Sequence, residues 1–478
     1  MYLEVMIKKA LFILFVVLIS NFQVFSHPFN ATHYLIIDTD GGIDDYRTLC
    51  LLLSAPDIRV LAITASSGVL PAENVAIKVR ALLDNLNHQG VPVAINTSMK
   101  GNGVGCGPAL DFLWGDEEKA AESEFVSIDV LAEYFENHLN KNITFVNLGS
   151  LSTIVHLSGN FMTFSQKITS ILWSNDTSLP LSGFNHSIDT NLIYQIDKLP
   201  VPLKIIQGEG NYCKELFSEV SEIWSETAIQ FAASFNPITS KSPFAMRSYD
   251  EMVAVYMHFP DFFTADSTNE IIRLSYNGQE RPSDLMKEIL NEYNLQVYQI
   301  MQEIPVDKGF YQDDIQKISN EIIRNHGMTE WVSAVNTFEL HRHIGAYALI
   351  GAKMGIRALE YFGAGIDELE VLSYASFSPP LSCMIDGIQV STGATLGHGL
   401  IKIAEGQQQP YAEFTYLGKT IGIRLMPFYQ KQIAEEIGLL VQKYGLESDA
   451  YWAEVRSNAL NYWLGFDRHK IFEIEVLN

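Results

Sequence analysis

Cysteine is scarce in this chain: Cys50, Cys106, Cys213 and Cys383 are scattered over 478 positions with no CxxC pair. A dense disulfide framework is therefore excluded; export would permit a bridge, but the spacing demands none. Positive charge is also in short supply, with 32 Lys+Arg against 56 Asp+Glu and a formal net charge of −24. Such a field repels phosphate backbones, which excludes nucleic acid as a partner and favours a cation or a neutral small molecule. Low-complexity tracts and internal repeats are missing, and at 47% hydrophobic and 18% charged residues wholesale disorder is ruled out. Long apolar runs are missing everywhere after the first residues.

What is present begins with an export-like segment. Lys8 and Lys9 precede an apolar run from Ala10 to Ile19, and Val24-Phe25-Ser26 follows it. This predicts a signal peptide over residues 1–26 and a periplasmic or secreted protein with no membrane attachment after cleavage, because the run is shorter than the ~20 residues of a span. The remaining length predicts two or three domains at roughly 100–200 residues each.

From His33 onward strand and helix alternate. Tyr34–Ile37, Val60–Ile63, Val91–Ile95 and Ile143–Asn147 read as strands, and Tyr46–Leu53 and Ala72–Leu86 as helices. This predicts an α/β fold, a mostly parallel sheet wound by helices, with its ligand beyond the carboxyl ends of the strands. Beyond about Phe263 the text turns polar and helix-rich, over Ser283–Gln302 and Gln312–Arg324. A second block follows, with a long Ala/Gly-rich helix over Ile344–Phe362, β-like runs at Leu369–Tyr374 and Ala412–Tyr416, and a closing helix over Pro427–Tyr444. The expectation is a domain over 27–320 followed by a smaller α+β domain over 321–478.

The first strand runs into Asp38-Thr39-Asp40-Gly41-Gly42-Ile43-Asp44-Asp45, which packs four carboxylates into eight positions before a helix. Like charges so close raise one another's pKa unless a cation neutralises them, and oxygen-only ligands suit Ca²⁺ or Mg²⁺ rather than zinc. An EF-hand starting at Asp38 would need Gly and Glu where Ile43 and Leu49 stand. A haloacid-dehalogenase-type phosphatase would need a hydroxyl or β-branched residue at Gly42 and has no use for the second acidic pair. Carboxylates that merely cap a helix would account for one or two acids, not four.

The octet resembles the signature of the nucleoside hydrolase family, Asp-Thr-Asp-Pro-Gly-x-Asp-Asp, with Gly41 in place of the proline. Gly149-Ser150-Leu151-Ser152-Thr153, Gly183-Phe184-Asn185 with Asp189, and Tyr249-Asp250 resemble three further family segments in the same order. The resemblance covers roughly Asn30 to Phe263. It implies a Ca²⁺ held by Asp40, Asp45, the main-chain carbonyl of Ser152 and Asp250. It also implies a ribose held by Asp44 and Asn185, and a largely structural Asp38. Asp40 would take a proton from a Ca²⁺-bound water that attacks the N-glycosidic bond of a ribonucleoside or related N-riboside. Tyr249 stands where the family has a histidine assisting base departure, Gly183 where it has a glutamate, and Val69 where an asparagine is expected. These departures favour altered specificity and leave open a nucleoside- or sugar-binding protein that keeps the metal with little turnover. The family also implies homo-oligomers.

In the second block, His341-Arg342-His343, Cys383-Met384-Ile385-Asp386 with Gln389, and Thr392-Gly393-Ala394-Thr395 are similar to motifs of the E-type formylmethanofuran dehydrogenase family, over roughly Val335–Ile437. His341, His343 and Cys383 form a candidate second metal site suited to Zn²⁺. Gly345 and Ala394 stand where that family often has cysteine.

Overall fold

A computed structural model describes residues 31–478 apart from 56, 99–105, 179, 209–229, 232–233, 235–249, 269–270, 291–303, 306–307 and 447. The segment 1–26 read as a signal peptide, Cys213, Tyr249 and the end of the helix expected over Ser283–Gln302 lie outside the described residues. Among those described, no helix is long and apolar enough to cross a membrane.

The N-terminal sheet uses β1 (His33–Thr39), β2 (Ile58–Ala65), β3 (Val93–Ile95), β4 (Val126–Ser127), β5 (Ile143–Asn147), β6 (Ile168–Ser174), β7 (Leu203–Ile206), β8 (Phe263–Thr268) and β9 (Ile271–Tyr276). Their order across the sheet is β4-β3-β2-β1-β5-β6-β7-β9-β8. All neighbours run parallel except β8, which pairs antiparallel with β9. Leu35, Ile36 and Ile37 of β1 are fully buried, as a continuous apolar run covered by helices on both faces requires. The chain winds from β1 outward to β4 and then returns to lay β5 on the other side of β1. That reversal opens a crevice at the carboxyl ends of β1 and β5.

The polar, helix-rich reading beyond Phe263 needs correction. Phe263–Thr268 and Ile271–Tyr276 are strands that extend the sheet, and helix begins only at Pro282–Leu290. Helix then runs over Asp313–His341, broken by a kink at Gly327 (φ +84°), and carries the chain into the second block, so position 320 lies inside a helix.

The second sheet contains β10 (Glu370–Ser373), β11 (Ile401–Ile403), β12 (Tyr411–Tyr416), β13 (Lys419–Leu425) and β14 (Phe472–Val476), ordered β11-β10-β12-β13-β14. β10 and β11 are parallel and the other pairs antiparallel, which makes this smaller unit α+β. Its core is built on the Ala/Gly-rich helix Ala346–Phe362, together with Met384–Thr392 and Asp449–Gly465.

A polar seam joins the two sheets. Glu368 accepts from Tyr34 Oη at 3.2 Å and from Arg59 Nε at 2.6 Å. Arg357 donates to the Asn87 carbonyl at 3.1 Å, Gly90 N–H to the Tyr361 carbonyl at 2.7 Å, and Tyr134 Oη to the Leu417 carbonyl at 2.9 Å. Tyr34, Arg59 and residues 87–90 stand at the amino ends of β1, β2 and β3. The second sheet therefore docks on the edge opposite the crevice.

Candidate metal centre and ligand site

Every carboxylate of the acidic octet is placed by the turn from β1 into the helix Ile43–Ser54. Asp38 is fully buried at the end of β1 and accepts from Thr64 Oγ1 at 2.6 Å, Ser66 Oγ at 2.8 Å and Thr153 Oγ1 at 2.6 Å. Burial pushes its pKa up to about 7, with these hydroxyls pulling the other way. Its oxygens are spent on the scaffold, tying β1 to β2 and to the helix Ser152–Asn160.

Asp45 organises the turn itself. Its Oδ2 accepts from Thr39 Oγ1 at 2.5 Å and from the N–H groups of Asp40 and Gly41, each at 3.0 Å. Asp44 and Asp45 occupy the first helical turn, where the unpaired N–H groups of the helix favour negative charge. Asp250 arrives from the far end of the domain as the residue preceding the helix Glu251–His258, and it is hydrogen-bonded to Ser174. Single oxygens of Asp44, Asp45 and Asp250 all lie within 4.8 Å of one another. They are the one such group of three or more metal-ligating side chains among the described residues.

Asp40 is 1% exposed. The main chain of Val69 hydrogen-bonds its carboxyl, while Oδ2 is buried with no hydrogen-bond partner. That oxygen lies against Gly68, where an added Cβ would fall 2.1 Å away. Burial, then Asp45 and Asp44, push its pKa well above the carboxylate range. Asp250 is displaced the same way by burial and by Asp44, and Asp44 reaches about 7 through burial, Asp45 and Glu251, with Arg47 opposing. The three clustered carboxylates form an oxygen-only donor set that fits a hard divalent cation, while Asp40, expected as a ligand, lies outside that group with its orphaned Oδ2 against Gly68.

The remaining expected residues sit around this mouth with their side chains variously engaged. Ser152 opens its helix, and its Oγ accepts from Asn96 Nδ2 at 3.2 Å and from Ser150 Oγ at 3.0 Å. Asn185 spends both amide protons on backbone carbonyls, of Leu148 at 2.5 Å and Ser174 at 2.9 Å. Only its carbonyl oxygen remains to meet a ligand. Gly183 has φ +101°, and a Cβ there would fall 2.7 Å from Asn175 Oδ1. The backbone thus demands glycine where the family resemblance would place glutamate. Val69 contributes main chain to Asp40 in place of the expected amide side chain.

In the sequence Asn147 is marked only as the end of a strand. Its Nδ2 donates to the carbonyls of Gly149 and Ser150, both at 2.8 Å, and its Oδ1 is buried without a partner. An asparagine closing an apolar strand at the β1–β5 crevice was the available signal.

In the second block, His341 and His343 come together with ring centroids 4.2 Å apart. His341 Nδ1 meets Asp386 Oδ2 at 2.7 Å, and its Nε2 is buried without a hydrogen bond. Both Nε2 atoms face Gly345, whose added Cβ would lie 3.1 Å from His343 and 3.5 Å from His341. Cys383 is half-buried, its thiol pKa pushed up by burial and Asp386. Among the described residues His341, His343 and Cys383 do not form a set whose ligand atoms all lie within 4.8 Å of one another.

Comparison with known proteins divides the chain in the same way. Residues 35–175 match the family model described as inosine-uridine preferring nucleoside hydrolase, and residues 340–461 match the one described as FmdE, molybdenum formylmethanofuran dehydrogenase operon. The chain is 24% identical over 166 residues to uridine nucleosidase 1 of Arabidopsis thaliana, covering 33% of this chain and 49% of that protein. It is 24% identical over 205 residues to the pyrimidine-specific ribonucleoside hydrolase RihA of Shewanella baltica, covering 39% and 63%. The chain thus spans less than two thirds of the length of either relative. A crystal structure of an inosine-uridine preferring nucleoside hydrolase from Bacillus anthracis superposes with a TM-score of 0.44 at 12% identity, over 54% of this chain and 99% of that one. By its matches, the chain joins an N-terminal segment similar to the nucleoside hydrolases to a C-terminal segment similar to the FmdE proteins.

Proposed function

We propose that the chain hydrolyses the N-glycosidic bond of a ribonucleoside or related N-riboside at the mouth formed by Asp40, Asp44, Asp45 and Asp250. The observation that carries this reading is the convergence of Asp44, Asp45 and Asp250 at the β1–β5 crevice beside the orphaned Oδ2 of Asp40. Asp45, Asp250 and Asp40, with the Ser152 carbonyl, are the groups to hold Ca²⁺, which when bound supplies Lewis acidity that lowers the pKa of water. Asp40 accepts the proton of the attacking water, and Asp44 orients the ribose hydroxyls. The fixed negative charge of the mouth favours the oxocarbenium-like transition state as the bond to the base breaks. Tyr249 is the candidate proton donor to the leaving base.

The second reading is a binding protein that retains the cation with little turnover. Gly183 and the engaged amide protons of Asn185 favour it, because both reduce the contacts available to the 5′ side of a ribose. Reducing-sugar release from a panel of purine and pyrimidine ribosides decides between them, with Asp40→Asn as control. Release that disappears in the control is expected; tight binding without release on any riboside overturns the hydrolase reading. For the second block we propose a Zn²⁺ site centred on His341 and His343, supported by the unpartnered Nε2 of His341. Metal content unchanged by His343→Ala and Cys383→Ser would reject it. Export to the periplasm or medium completes the proposal.

A further inference from the structure

One buried hydroxyl beside the acidic mouth has no role in the chemistry above. Thr39 closes β1 between Asp38 and Asp40 and is 0% exposed. A threonine in an inner parallel strand can be plain β-branched filling, and a valine would then serve as well. Its hydrogen bonds say otherwise. Thr39 Oγ1 donates to Asp45 Oδ2 at 2.5 Å and accepts from the Gly41 N–H at 3.3 Å, so its one proton is spent on the carboxylate. The same Oδ2 receives the N–H groups of Asp40 and Gly41, each at 3.0 Å. Three donors saturate that oxygen. Oδ1 is therefore the oxygen that Asp45 has for the group it forms with Asp44 and Asp250.

We propose that Thr39 is a positioning residue: its hydroxyl fixes the rotation of the Asp45 carboxylate, turning Oδ2 into the strand-to-helix turn and Oδ1 towards the space shared with Asp44 and Asp250, where a divalent cation binds. The inference rests on the reading of that group as a cation site. The terminal torsion of an aspartate is broad, so the direction of its carboxylate comes from its partners rather than from its rotamer. Of the three partners at Oδ2 the hydroxyl makes the shortest bond. A carboxylate aimed beforehand has less freedom to lose when the cation arrives. Hydrogen-bond partners standing one step behind a metal ligand are worth roughly 10–100-fold in metal affinity.

The test is Ca²⁺ affinity of the metal-stripped full chain, by titration calorimetry and by Tb³⁺ luminescence, at a temperature where every variant is folded. Thr39→Val keeps the shape and removes the proton, and it is expected to weaken binding about tenfold or more. Thr39→Ser restores the donor and should return within roughly threefold of the unaltered affinity. A hydroxyl that served only the packing of β1 would lower the melting temperature and leave the affinity in place. Glu368→Ala, at the distant seam, is the control for stability loss of that kind and should bind as the unaltered chain does. A loss in Thr39→Val of less than about threefold overturns the proposal. So does Thr39→Ser binding no better than Thr39→Val, or an equal loss in Glu368→Ala. If Thr39→Val does not fold, Thr39→Ala is read by the same criteria. An unaltered chain that binds neither ion overturns the cation-site reading along with it, an outcome distinct from all of these.

Discussion

A carboxylate that already receives three hydroxyl hydrogen bonds has little left to offer a ligand, and Asp38 is in that position. Replacing it by alanine would strip Thr64, Ser66 and Thr153 of their acceptor inside the core. Asp38→Ala should therefore lose about 2–4 kcal/mol in urea unfolding, with the slope unchanged and a smaller loss in Asp38→Asn. The crowding of Asp40, Asp44 and Asp45 was legible because adjacent letters become adjacent side chains across one turn. Asp250 was legible only through its motif. The buried pair of Arg47 Nη1 and Glu251 Oε1, 3.3 Å apart, was not legible, because its partners are 204 positions apart and nothing local marks an arginine on a helix as buried. The use of both Asn185 amide protons on backbone carbonyls was hidden for the same reason: an amide's partners are set by which loop ends converge on it.

At the level of elements, the inner parallel strands were readable because burial on both faces writes a continuous apolar run. β8 and β9 escaped because the sheet ends on them: β8 is an exposed edge strand, and four of the six letters of Phe263–Thr268 are polar. The long helix Ala346–Phe362 was readable from its small residues, but what secures its far end was not. There Glu360 accepts from Arg468 Nε at 2.9 Å and meets His469 Nε2 at 3.0 Å, while His469 Nδ1 lies 3.3 Å from Asp467 Oδ1. Burial alone would lower the imidazole pKa, but the bonds to Asp467 and Glu360 outweigh it and push it from 6.5 up to about 9. A group whose pKa rises on folding stabilises the fold fully below its unfolded value and loses that contribution as pH climbs through the folded one. Tm should accordingly fall between pH 6.5 and 9.5. In His469→Asn that slope should flatten in calorimetric scans, by on the order of 2 kcal/mol in stability.

On the scale of the whole molecule, the seam between the sheets has consequences of its own. Glu368 receives Tyr34 and Arg59 from the first sheet and the N–H of Gly365 from its own loop, in a setting where both charged side chains are about nine-tenths buried. Glu368→Ala leaves Arg59 buried without this carboxylate and should cost roughly 3 kcal/mol in thermal unfolding. Ca²⁺ affinity should stay unchanged, because the seam lies at the opposite ends of the strands from Asp40. Residues Ala31–Asn478 form a single compact unit, and to the extent that the seam couples the two sheets in unfolding, stabilising one stabilises the other. Ligand held by the carboxylates of the first sheet would then protect the second sheet from proteolysis without touching it. A protease cutting in β12–β14 would read out occupancy of a mouth on the far side of the molecule.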